Sequence, residues 1–171
     1  MRRRTFLKTG VAGAALLALA SRIPSGAARA EESVAARGLA AKDRAVLRAI
    51  VPVMLAGALP VDPEANRKAV ASVVDGVSQA IAGMPPATRA ELADLFMLLD
   101  FAPTRRLVAR VSAPWPDASA QEIAAFLQTW RSSQFALLQS GYQALHDLII
   151  ASWYALPESW AAIRYPGAPE L

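Results

Sequence analysis

The sequence predicts an all-α protein, a small irregular bundle of about five or six helices with an extended C-terminal tail. Three observations predict it. Apolar residues recur at three- and four-residue intervals through most of the chain after residue 40. No alternating pattern with a β-branched bias lasts beyond a few residues. The breaks between apolar stripes fall at proline, glycine and serine, the residues that start and stop helices.

The first helical segment, Ala40–Leu55, places Val46, Leu47, Ile50, Val51 and Met54 on one side. Pro52 should kink it, because proline removes one backbone donor. Gly57 and Pro60 close it. The second segment opens with Asp62 as N-cap and Pro63 at the first helical position. Val70, Val73, Val74, Val77 and Ile81 form its stripe, and Gly83 ends it. Pro85-Pro86 opens the third helix, which runs to about Phe101 with Leu92, Leu95, Phe96, Leu98 and Leu99. Pro103 interrupts it, and a short helix Thr104–Val111 follows.

Ala113–Asp117 reads as a loop in which Pro114 and Pro116 fix the backbone around Trp115. Ser119 and Glu122 have capping-box spacing. They begin a helix that turns Ile123, Phe126, Leu127 and Trp130 inward. Ser132 and Ser133 separate it from a longer helix, Gln134–Tyr154, with the stripe Phe135, Leu138, Tyr142, Leu145, Ile149 and Trp153. A last short helix runs from Pro157 to Ile163. The ending Arg164-Tyr165-Pro166-Gly167-Ala168-Pro169 cannot continue as a helix.

Residues 1–30 read as a targeting segment and not as part of the fold. Arg2, Arg3 and Arg4 precede Phe6, Leu7 and Lys8, and an apolar stretch follows. The uncharged run from Thr9 to Ser21 is shorter than the roughly 20 residues a membrane span needs. Ala28 and Ala30 suit the small subsites of a signal peptidase, which would leave Glu31 first. The organisation read from the sequence is therefore a signal over 1–30, a flexible leader over 31–39, and one helical domain with its tail over 40–171.

Charge follows the same division. The whole chain has a formal net charge of +4. Six basic residues and no acid lie in 1–30, so the remainder holds 12 basic against 14 acidic residues. A nucleic-acid reading from the overall basicity is thereby excluded. The absence of cysteine excludes disulfides, thiolate metal sites and a Cys nucleophile. The single histidine, His146, excludes a multi-histidine metal site within one chain.

Few residues suggest chemistry. His146 adjoins Asp147, but neighbours on a helix do not face each other, so the pair reads as a surface histidine and its neighbour. Haem ligation by His146 with Met54, Met84 or Met97 has no spacing to support it. Asp94 and Asp100 are six apart and lie on different faces. Arg105, Arg106 and Arg110 form a small basic face. No Glu-x-x-His pair, phosphate loop or nucleophile elbow is present. The aromatic residues are the unusual feature. Trp115 sits in its proline-flanked loop, and Trp153, Tyr154, Trp160 and Tyr165 crowd the C-terminus. Trp115, Tyr154, Trp160, Tyr165, Pro166 and Gly167 are the candidates for contact with a partner.

The N-terminal run Arg3-Arg4-Thr5-Phe6-Leu7-Lys8 closely resembles the twin-arginine export signal. The ending Trp153-Tyr154…Trp160-Ala161-Ala162-Ile163-Arg164-Tyr165-Pro166-Gly167-Ala168-Pro169 resembles that of the small subunit of membrane-associated flavin dehydrogenases of the GMC type, the gluconate 2-dehydrogenase subunit 3 type. The family usually has glycine where this chain has Arg164. The resemblance implies a non-catalytic accessory subunit with no cofactor of its own. It would supply the export signal for a periplasmic FAD-dependent sugar or alcohol dehydrogenase and stabilise it. The implied partners are the flavoprotein large subunit carrying FAD, a cytochrome c subunit and, during export, the twin-arginine translocase. The implied location is the periplasm, with membrane association through partners. Two other classes compete: a free-standing exported helical binding protein, and a small enzyme using His146 or a carboxylate.

Overall fold

Helix ends and apolar stripes determine most of the architecture. A computed structural model of the chain describes residues 39–162. Those residues form seven α-helices, one 3-10 turn and no strand. The helices are α1 (Ala41–Met54), α2 (Pro63–Ala82), α3 (Pro86–Asp100), α4 (Ala102–Leu107), α5 (Ala120–Arg131), α6 (Ala136–Tyr154) and α7 (Pro157–Ala162). The turn is Trp115–Asp117, between α4 and α5. No described helix is long and apolar enough to cross a membrane.

The stripe on α1 behaves as its spacing requires. Val46, Leu47, Ile50 and Val51 are fully buried, and Met54 is partly covered. Pro52 lies inside α1 on its exposed side. Asp62 caps α2 by accepting a bond from the Ala65 amide at 2.8 Å, and the five expected residues, Val70 to Ile81, are all buried. Gly83 closes α2 with an ordinary right-handed φ of −80°. The α1 and α2 helices run antiparallel. The Leu39 amide donates to Ser78 Oγ at 3.1 Å, and Arg44 pairs with Asp75 a little further along.

Three boundaries differ from expectation. The short helix after α3 spans 102–107 and not 104–111, because proline is tolerated in a first turn and Pro103 stands there. The chain leaves that helix through Arg110, which has a φ of +57°. The last long helix starts at Ala136, two residues later than expected. Phe135 is its N-cap, with φ −93° and ψ 114°. Extended backbone takes Phe135 out of helical register, so it is 57% exposed and does not join the stripe.

The core lies between α1, α2, α3, α5 and α6. The α2–α6 contact is the most extensive. It is close because Gly76 meets Ser152, where a Cβ on the glycine would stand 3.2 Å from the serine Cβ. The interior aromatic residues form a chain of edge-on contacts. Trp115 meets Phe126 at 5.6 Å between centroids, and Phe126 meets Trp130 at 4.8 Å. Such edge-to-face pairs add about 0.5–1.5 kcal/mol beyond burial.

Candidate functional site

Two open grooves adjoin α1 and share Val53. The larger, about 470 Å³, lies between α1, the 3-10 turn and the start of α5. Small side chains form most of it, including Ala45, Ala49 and Ala120, with Trp115 and Ile123 beside them; Arg48 is its charged residue. The smaller, about 270 Å³, is lined by Met54, Leu127, Gln128, Arg131, Tyr142 and His146.

His146 in the smaller groove is better organised than its sequence position indicates. Its Nδ1 lies 3.0 Å from Asp147 Oδ1. Gln143 Nε2 donates to the same oxygen at 2.7 Å. Tyr142, one turn back, stacks on the imidazole at 5.8 Å. The expectation that helix neighbours do not meet is therefore corrected. The backbone separates the two residues by one position, and Asp147 folds back along the helix surface to reach the ring. The pair is partly solvated, as expected for a surface histidine.

Three of the four tryptophans do a structural job that the sequence reading did not foresee. Each donates its indole N–H to a carbonyl near a helix end. Trp115 Nε1 donates to Leu99 O at 2.9 Å. That carbonyl lies in the last turn of α3, where extended Phe101 ends the helix and leaves it without a helical partner. Trp130 Nε1 donates to Val108 O, just past α4, at 3.4 Å. Trp160 Nε1 donates to Tyr154 O, at the end of α6, at 3.0 Å. The helix break before Pro103 is the signal from which the first of these could have been found.

These bonds bear on the partner candidates. Trp115 is 3% exposed and belongs to the core, so its indole is not offered to a partner. The proline-flanked segment presses the ring against α3 and α5. Tyr154 is 51% exposed, and Trp160 is half-buried. Tyr165, Pro166 and Gly167 lie outside the described residues. So do Arg3, Arg4, Phe6, Leu7 and Lys8 of the export signal, and Ala28, Ala30 and Glu31 at the expected cleavage point.

Charged groups supply two further corrections. The basic face expected from Arg105, Arg106 and Arg110 loses Arg105, which is 8% exposed with its Nε buried and unbonded. Asp43, unremarked in the sequence, is also buried, with Oδ1 lacking a partner. Burial pushes its carboxyl above the usual range, against the opposing pull of Lys42. Glu122 shows the reverse. It accepts bonds from the amide of Ser112 at 3.3 Å and from the amide and hydroxyl of Ser119 at 3.1 and 3.0 Å. The Ser112 hydroxyl also donates to it. These donors, that hydroxyl foremost, hold its pKa at about 2. The Ser119–Glu122 capping box is thus complete and extends to the preceding loop.

Among the described residues, no group of three His, Asp or Glu side chains is placed to hold a metal ion. Comparison with protein families, curated proteins and solved structures finds no match for this chain.

Proposed function

We propose that this chain is a non-catalytic small subunit that supplies the twin-arginine export signal for a periplasmic FAD-dependent sugar or alcohol dehydrogenase and stabilises it. One observation carries the reading. Arg3-Arg4-Thr5-Phe6-Leu7-Lys8, a short apolar stretch and Ala28-Arg29-Ala30 occur in the order an export signal requires. The route suits proteins that cross the membrane folded, often with a cofactor bound, and the flavin would ride on the partner. The aromatic residues near the C-terminus support a partner contact there, with Tyr154 exposed at the end of α6.

The test is recovery of a tagged chain from the periplasm. A flavoprotein should co-purify with it, and the mature N-terminus should be Glu31. Replacing Arg3 and Arg4 together by lysine keeps the charge but removes the planar guanidinium groups, and should abolish export of both proteins. Normal export of the double-lysine variant would defeat the signal assignment. Truncation after Ile163 should reduce recovered flavin activity while leaving the thermal midpoint of the chain alone unchanged. Parallel loss of both would make the tail ordinary core packing.

The 470 Å³ groove favours a second reading, a free-standing exported binding protein. Recovery of a lone monomer with no flavoprotein would select it.

A further inference from the structure

We propose that the smaller groove, where α1, α5 and α6 meet, binds a small organic carboxylate with an aromatic or branched apolar body. The inference goes beyond the export role and does not depend on it.

Three helices bring their side chains to one place. Gln128 and Arg131 come from the last turn of α5, Tyr142 and His146 from one face of α6, and Val53 and Met54 from the end of α1. Among the described residues, the side chains of Gln128 and Arg131 have no hydrogen bond and no ion pair, and the Tyr142 hydroxyl has no hydrogen bond. The His146 ring is held between Asp147 and the Tyr142 stack, and Gln143 steadies Asp147 in turn. The carbonyls of Val51, Val53, Gln128 and Trp130 at the two helix ends are taken by capping amides, so side chains set the polarity of the groove.

The lining identifies the ligand. Among the described residues no carboxylate lines the groove, and Arg131 is its permanent positive charge. A guanidinium presents a planar fork that matches a carboxylate with two parallel bonds. Gln128 and Tyr142 add further donors. Val53 and Met54, half-buried, and Leu127, buried, form an apolar wall for the hydrocarbon body of the ligand to cover. An aromatic body also has the Tyr142 and His146 rings to pack against. The groove, about 270 Å³, is below the usual size of a site for a drug-sized ligand, which fits a molecule of about ten non-hydrogen atoms.

His146 is the one histidine of the chain, so its ring resonances report on this groove alone. The full chain, purified without a histidine tag, is titrated at constant pH with phenylacetate, phenylacetamide and benzylamine. Phenylacetate should shift the His146 resonances saturably with a Kd of about 1 mM, the affinity expected of about ten non-hydrogen atoms. Its neutral and cationic analogues should bind at least about tenfold more weakly, because they lose the charge-assisted bonds. Arg131→Gln should weaken phenylacetate by a similar factor with an unchanged thermal midpoint, since Arg131 is exposed. Arg48→Gln, in the larger groove, should leave the affinity unchanged. Equal affinity for phenylacetate and phenylacetamide would overturn the proposal, as would the lack of a saturable shift below about 20 mM. So would an unchanged affinity in Arg131→Gln; should that variant fail to fold, the analogues on the unaltered chain still decide. Acetate binding as tightly as phenylacetate would also overturn it, leaving a bare anion site.

Discussion

Gly141 of α6 lies against the six-membered edge of the Trp130 ring. A methyl group on its Cα would stand 2.8 Å from Cζ3 of the indole and 3.2 Å from Leu95 Cδ1. Three helices therefore meet at a point crowded for anything larger than a hydrogen atom. Alanine favours a helix over glycine by about 1 kcal/mol, but overpacking a core costs about 1–3 kcal/mol. Gly141→Ala should lower stability by up to about 2 kcal/mol net in urea unfolding. Gly83→Ala is the matching control. Its Cβ would meet nothing closer than 3.6 Å, and a gain of up to about 1 kcal/mol is expected.

Trp115 replaces a missing backbone donor. Leu99 O has no helical partner, and the indole bonds to it at 2.9 Å. Trp115→Phe keeps most of the apolar volume and leaves that buried carbonyl unpaired. The expected loss is about 1–3 kcal/mol. Thermal unfolding of the variant beside the unaltered chain reads the difference.

Asp43 should make the domain less stable at neutral pH than at mildly acid pH. Its folded-state pKa is raised from 3.8, chiefly by burial. The folded state then holds the proton where the unfolded state releases it. The associated stability is present below pH 3.8 and is lost as pH rises through the higher folded value. Asp43→Asn removes the ionisation and can still accept a bond from the Ala40 amide. It should stabilise the domain at pH 7 by about 1 kcal/mol. The advantage should vanish near pH 3, as read from denaturant midpoints across pH.

Trp160 should hold α7 onto the end of α6 through its bond to Tyr154 O at 3.0 Å. Trp160→Phe removes the donor and keeps an aromatic ring. It should speed hydrogen exchange in α7 and the last turn of α6, with a global loss below about 1.5 kcal/mol. A large global loss would place Trp160 in the main core.

The helical stripes were legible because they are local. The valines of α2 are spaced so that no packing partner is needed to tell which side turns inward. The Asp62 cap and the Ser119–Glu122 box are also local, since their atoms are three residues apart. Phe135 misled because one extended residue at a cap breaks the period. The relation of Trp115 to Leu99 was hidden, although Pro103 marks the helix break, because the donor comes from 16 residues away.

The sequence by itself determined the helical class, the caps of α2 and α5, the division of charge between the first thirty residues and the rest, and the chemistry that the absence of cysteine removes. Each follows from residue type and near-neighbour spacing. Tertiary structure decided which aromatic residues face inward, why position 141 is crowded for anything larger than glycine, and that Asp43 and Arg105 are buried. It also brought Val108 and Gly141 to opposite edges of the Trp130 ring. Those outcomes depend on which helix faces meet and at what distance. Local spacing does not encode that, because burial and close contact are properties of pairs of segments far apart in the chain.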